Sequence, residues 1–92
     1  MHAIVCYDIP ANSRRNKLHK RLGGFLRPVQ RSVFEGPLQG NQLTPLLATI
    51  KRTIDPRKDD VRIYLFCKSC VASTILMGIA FSVEEEKGPI VV

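Results

Sequence analysis

The chain has 92 residues, 45% of them hydrophobic, and carries 14 Lys and Arg against 8 Asp and Glu for a formal net charge of +6. That length supports one domain spanning residues 1–92, and a chain so short hides only about 60–65% of the surface its unfolded form exposes, so this apolar content favours self-association. The basic balance favours a polyanionic partner, and a membrane-spanning helix is excluded because no apolar run reaches roughly 18 residues.

Ala3 to Tyr7 is a short apolar run with β-branched residues that stops at Asp8-Ile9-Pro10, which reads as a buried strand. Pro10 disfavours helix at Ile9, and Asn12 or Ser13 can cap a helix that starts just after it. Along that helix Leu18, Leu22 and Phe25 make one apolar stripe; Arg14, Arg15, Lys17, Lys20 and Arg21 occupy the remainder, and Gly23-Gly24 ends it. Val29 to Gly36 alternates as a second strand, with Phe34 facing away from Val29, Arg31 and Val33. Pro37 to Asn41 is a turn. Leu43, Leu46, Leu47, Ile50 and Ile54 mark a second amphipathic helix, with Pro45 in its first turn if Thr44 caps it and Asn41 as a rival start. Asp55-Pro56 ends that helix. Val61 to Cys67 is a third strand, Thr74 to Phe81 a fourth, and residues 84–92 form a tail in which Glu84, Glu85 and Glu86 precede a last short strand at Ile90 to Val92.

Taken literally, this order has one helix after each of the first two strands, then two adjacent strands. It becomes β-α-β-β-α-β if the Val29–Gly36 region hides a hairpin or if the third strand is followed by a returning edge strand. The pattern alone predicts an open antiparallel or mixed α+β sandwich. Two helices cover one face of such a sheet, yet the third strand carries bulky residues on both faces, so a second copy is the simplest cover for the other.

Asp8 ends the first strand, and its ordinary role there is to satisfy backbone N–H groups in a turn. One carboxylate is a poor Mg²⁺ site, but two copies of Asp8 across a two-fold axis would supply two, and a divalent ion would relieve their repulsion. Arg14, Arg15, Lys17, Lys20 and Arg21, followed by Arg27 and Arg31, suit phosphate neutralisation, although such runs also occur as plain solvated helix faces. Cys67-Lys-Ser-Cys70 resembles half of a zinc knuckle, but Cys6, His2 and His19 are not at motif spacing, so ordinary thiols are the simpler reading. Three cysteines and an N-terminus without a basic, then apolar, leader point to the reducing cytoplasm.

Tyr7-Asp8-Ile9, Arg14-Arg15, the QRSVFEG run from Gln30 to Gly36, Ile54-Asp55-Pro56 and the DVRIY run from Asp60 to Tyr64 together resemble the CRISPR-associated protein 2 family. The likeness runs from Ala3 to about Gly78. It implies a ferredoxin-like βαββαβ sandwich, with a long second strand that bends and an extra C-terminal strand. It also implies a homodimer with its sheets face to face, in which the last strand joins the partner's sheet edge. It further implies a Mg²⁺ or Mn²⁺ site shared by Asp8 of both subunits, with Arg14, Arg15 and Arg31 on nucleic acid and Tyr7 and Phe34 in support. Members of this family are described as endonucleases on single-stranded RNA or double-stranded DNA, and as bridges between dimers of the CRISPR integrase in spacer acquisition. Two functions therefore stand open: a metal-dependent endonuclease, or a non-catalytic scaffold bound to duplex DNA. A toxin-type ribonuclease is a weaker third.

Overall fold

A strand whose residues alternate between two environments must lie in a sheet with one covered face, and the first strand does this without interruption. In β1 (His2–Asp8), Ala3, Val5 and Tyr7 are buried, while His2, Ile4 and Cys6 are half-buried and Asp8 is exposed. The computed structural model describes residues 1–77 and the backbone of residues 90–91. After β1 come α1 (Asn12–Leu22), β2 (Arg27–Gln30), β3 (Val33–Pro37), α2 (Leu43–Thr53), β4 (Asp60–Phe66), the short helix α3 (Lys68–Ala72), β5 (Ile75–Leu76) and β6 (Ile90–Val91). The first four strands form an antiparallel sheet in the order β2-β3-β1-β4. With α1 and α2 on one face, this is the ferredoxin-like βαββαβ fold.

The Val29–Gly36 segment is a hairpin and not one bent strand. The chain turns at Arg31-Ser32, so that Gln30 pairs with Val33 and Arg27 with Glu35, and a register shift falls between Pro28 and Gln30. Alternation in the sequence masks the turn: the two-residue loop reverses side-chain parity, and the register shift between Pro28 and Gln30 restores it, so that Arg27 and Glu35 again share a face. The tail also departs from expectation. Residues 68–72 are helical where the sequence pattern predicts no helix, and the fourth strand expected at Thr74–Phe81 is reduced, within the described residues, to Ile75–Leu76. That pair runs parallel to Ile90–Val91 of the same chain in a separate small sheet. The rest of that expected strand and the acidic run lie outside the described residues.

The helix boundaries differ from expectation for local reasons. Ala11, rather than Asn12 or Ser13, is the N-cap of α1, and its carbonyl accepts the Arg15 N–H at 3.0 Å. Helix α2 starts earlier than a Thr44 cap requires, with Gln42 as N-cap. The Gln42 Oε1 accepts the Gln39 N–H at 2.9 Å, and Pro45 stays within the first turn, where its missing N–H costs no hydrogen bond. Phe25 falls beyond the end of α1 and is only partly buried, whereas its neighbour Leu26 enters the core.

Leu18 and Leu22 from α1 and Leu46 and Ile50 from α2 close over Ala3, Val5, Tyr7 and Phe34. Each large side chain so buried contributes about 1.5–3 kcal/mol relative to exposure. Phe34 sits at the centre. It is 1% exposed, lies directly across from Val5, and meets the His19 ring edge-on at 4.9 Å and the Tyr7 ring at 6.3 Å. Polar contacts then lock the helices in place. Arg21 Nη1 donates to Thr53 Oγ1 at 2.8 Å, and that hydroxyl donates to the Thr49 carbonyl at 2.7 Å, which ties α1 to α2.

A second latch joins α1 to the loop before β4. Arg14 donates through Nε and Nη2 to the two carboxylate oxygens of Asp59 at 2.8 and 3.0 Å, and the Asp55 N–H donates to the same carboxylate at 2.8 Å. The Asp59 side chain is wholly out of solvent and that of Arg14 is 27% exposed. The Arg14 hydrogen bonds, helped by the Asp55 N–H, hold the Asp59 carboxyl below its ordinary range.

Two stability measurements check this packing. Phe34→Ala should cost about 3–5 kcal/mol in denaturant titration, whereas Val29→Ala, on the exposed β2, should stay within about 0.5 kcal/mol. Equal costs would mean that Phe34 is not a core residue. Arg14→Ala should lower the denaturation midpoint at neutral pH by stranding the Asp59 carboxylate. Because the Asp59 pKa is depressed in the folded state, the latch stabilises above the ordinary carboxylate range and is lost as pH falls through the depressed value. The gap between wild type and Arg14→Ala should therefore narrow in acid, and a gap independent of pH would refute the latch.

Candidate functional site

Because β1 alternates, Tyr7 and Asp8 leave it on opposite faces. Asp8 shares the helix-free face with His2, Ile4 and Cys6, at the exposed carboxyl end of the strand. Directly across from it in β4 stands Asp60, a residue that sequence reasoning does not single out. Opposed residues on antiparallel strands present their side chains on the same face, so two carboxylates neighbour each other here. Asp60 is partly compensated by Arg62, whose Nε lies 3.4 Å from its Oδ2, while Asp8 makes no ion pair among the described residues. The adjacent acidic pair Asp59-Asp60 is the available signal, since in a strand start one of two consecutive acids must point to each face.

The rest of the helix-free face is mixed. Ile4, Cys6, Val33, Tyr64 and Phe66 supply apolar surface, with Tyr64 45% exposed. Around them Glu35 pairs with Arg27 at 3.2 Å and with His2 at 3.7 Å.

On the helix side of the same strand end lies a cleft of about 450 Å³ lined by Tyr7, Arg15, Asn16, His19, Arg31 and Ser32. The Tyr7 hydroxyl lies 3.3 Å from His19 Nδ1 and donates to the Arg31 carbonyl at 3.4 Å, which fixes the phenol against the β2–β3 turn. Burial pushes the Tyr7 phenol up, and the Arg15 charge opposes this. Arg15 donates to the Ile9 and Pro10 carbonyls at 2.9 and 3.4 Å and to the Asn12 side chain, so its guanidinium holds the loop that follows Asp8.

The structure thus gathers Tyr7, Arg15 and Arg31 in one cleft and sets Phe34 beneath it in the core. Asp8 lies around the strand end on the other face, and Arg14 is engaged with Asp59. His19 escapes sequence reasoning as a cleft residue because its helical position falls on the polar side of the Leu18 stripe. Lys17 and Lys20, on the same helix, are exposed.

A divalent ion with hard-oxygen preference suits the donor chemistry of Asp8 and Asp60. Among the described residues of one chain, no three His, Cys, Asp or Glu side chains converge on a common point. Such an ion would therefore take its other ligands from water, from a phosphate or from a second copy. No helix among the described residues is long and apolar enough to cross a membrane.

Residues 1–74 match the family model described as CRISPR associated protein Cas2. The "CRISPR-associated endoribonuclease Cas2 3" of Chloroflexus aurantiacus is 32% identical over 82 residues, covering 89% of this chain and 88% of that protein. The "CRISPR-associated endoribonuclease Cas2" of Mycobacterium tuberculosis is 48% identical over 65 residues, covering 70% of this chain and 56% of that one. Among solved structures, Streptococcus pyogenes Cas2 superposes with a TM-score of 0.68 at 26% identity, covering 74% of this chain and 88% of the other. A hypothetical protein from Thermus thermophilus gives 0.68 at 38% identity, covering 72% and 80%. With the family pattern spanning the whole four-stranded fold and the end of β1 that carries Asp8, the chain belongs to the Cas2 family of CRISPR-associated proteins.

Proposed function

We propose that the chain is a Mg²⁺- or Mn²⁺-dependent endonuclease of the CRISPR spacer-acquisition machinery, cutting phosphodiesters of single-stranded RNA or double-stranded DNA. The observation that carries this reading is the exposed Asp8 carboxylate at the end of a central strand, beside a second carboxylate and around the edge from a basic cleft. Asp8 would hold the ion. When bound, such an ion supplies positive charge to a phosphodiester and makes water acidic enough to attack at neutral pH.

The remaining roles belong to side chains of this chain. Arg31, Lys17 and Lys20 would neutralise backbone phosphates, which requires charge more than sequence-specific geometry. Arg15 keeps the Ile9-Pro10 loop closed behind Asp8, Tyr7 buttresses the β2–β3 turn that presents Arg31, and Phe34 supports both from the core. A second copy docked on the helix-free face would cover Tyr64 and Phe66 and bring a second Asp8 near the first. Relatives bearing the name endoribonuclease support RNA as the first substrate to assay.

The scaffold reading is favoured by a different observation, the net charge of +6. On that reading the same cations grip duplex DNA in an assembly with the CRISPR integrase, and Asp8 is dispensable.

Asp8→Asn separates the two. Under matched Mg²⁺ or Mn²⁺, cleavage by the purified variant should fall well beyond the about 10–100-fold that removal of a merely supporting residue costs. Binding of duplex DNA should persist. A variant that cuts as fast as wild type rejects the nuclease assignment. A wild type that binds duplex and never cuts establishes the scaffold. For the binding surface, Arg31→Ala should lower the slope of log affinity against log salt by about one, as expected when one phosphate is no longer neutralised. An unchanged slope moves the interface away from the cleft.

A further inference from the structure

The third candidate chemistry in the chain lies far from the cleft, where the chain leaves β4. Cys67 is the N-cap of α3 and Cys70 sits in its first turn; both are exposed, and their Sγ atoms are 3.5 Å apart. We propose that Cys67 and Cys70 form a reversible dithiol–disulfide site that reacts with low-molecular-weight disulfides such as oxidised glutathione. This site goes beyond the nuclease and scaffold readings and depends on neither.

Geometry carries the assignment. A disulfide needs the two sulfurs at about 2.0 Å, so closure requires an approach of only roughly 1.5 Å, within reach of side-chain rotation at exposed positions. The two thiols are chemically unequal. Ser69 Oγ lies 3.0 Å from Cys67 Sγ, and hydrogen bonds from Ser69 and Cys70 bring the Cys67 thiol down to about 7. The same contact with Cys67 pushes the Cys70 thiol up. An exposed, low-pKa thiol beside a second thiol is the arrangement of an attacking and a resolving cysteine. Zinc is the competing use of such a pair, but it needs four ligands, and no third His, Cys, Asp or Glu joins the pair among the described residues.

The reaction balances without an unnamed reagent. The Cys67 thiolate attacks one sulfur of the glutathione disulfide, forms a mixed disulfide and releases one glutathione thiolate. Cys70 loses its proton and attacks Cys67 Sγ, which forms the internal bond and expels the second glutathione. The protein loses two electrons, the glutathione disulfide gains them, and the two protons end on the released thiols. At pH 7 a thiol of pKa about 7 is half ionised. After allowance for its weaker intrinsic nucleophilicity, it should react about three- to fourfold faster than an ordinary exposed cysteine.

The test incubates the full chain with oxidised glutathione, follows it by mass spectrometry, and maps the modified peptides. Wild type should lose two hydrogens, keep one free thiol at the half-buried Cys6, and return to three thiols with a dithiol reductant. Cys70→Ser should accumulate a glutathione adduct at Cys67 that no longer resolves. Cys67→Ser should react severalfold more slowly, at Cys70. Stable glutathione adducts on both cysteines of the wild type would overturn the proposal, as would covalent cross-linking between chains or equal rates in the two variants. Protection of both thiols by stoichiometric Zn²⁺ would overturn it in favour of a metal site.

Discussion

Strand β1 lies between β3 and β4, and every residue of it is paired with β4, so its side chains must alternate between a face under α1 and α2 and a face that neither of these helices covers. The rest of the molecule follows from that division. Ala3, Val5 and Tyr7 hold the core, while Ile4, Cys6 and Asp8 line the uncovered face. A slip of one residue would exchange the two sets, burying Asp8 among Leu18, Leu22 and Phe34 and exposing Val5, so the register is strongly specified. Position of the carboxylate and stability of the fold are therefore one constraint, and Asp8 needs no special loop to present it.

The basic residues of α1 are used in two ways. Arg14, Arg15 and Arg21 each bond to groups elsewhere in the chain, namely the Asp59 carboxylate, the Ile9 and Pro10 carbonyls and the Thr53 hydroxyl. Guanidinium suits these tasks because its planar fork satisfies two acceptors at once. Lys17 and Lys20 on the same helix are exposed. Helix α1 is thus a tie-rod on one side and a cationic surface on the other. The Arg14–Asp59 bond also fixes the start of β4, and with it Asp60, opposite Asp8.

Much of this is legible in the sequence, and the failures have physical reasons. Leu18 and Leu22, Leu46 and Ile50 are readable because helical periodicity reports burial directly. Asp8 is readable because an apolar run ends on it. The hairpin within the QRSVFEG region is hidden because Arg31-Ser32 is a turn without glycine or proline, and the register shift between Pro28 and Gln30 restores the side-chain parity that the turn reverses. Helix α3 is hidden because five residues are too few for any periodic signal. Arg14 reads as free charge because its partner Asp59 lies 45 residues away, and Arg15 because hydrogen bonds to the Ile9 and Pro10 carbonyls leave no trace in residue type. The same blindness to long-range contact conceals the alignment of Asp60 with Asp8 and the place of His19 in the cleft.

The separation of Tyr7 from Asp8 bears on what kind of ligand the end of β1 can serve. Consecutive residues of a strand cannot reach the same small molecule when a sheet lies between them. A compact substrate would therefore use either the cleft with Arg15, His19 and Arg31 or the carboxylate face, not both. A polyanion differs, because its charges repeat along the whole backbone and that backbone can pass around the sheet end. Phosphates held by cations on the helix side would then position a neighbouring phosphodiester on the face that carries Asp8. Cations lining the cleft on the helix side would attract nucleic acid without contacting Asp8, whereas Arg62 on the carboxylate face is already paired with Asp60. The uncovered face adds a further requirement. Its surface mixes apolar side chains with paired charge, so whatever covers it must match Glu35, Arg27 and Arg62 as well as bury Tyr64 and Phe66. In the proposed homodimer a second copy would bury Tyr64 and Phe66 and set the two carboxylate ends close to the same stretch of backbone.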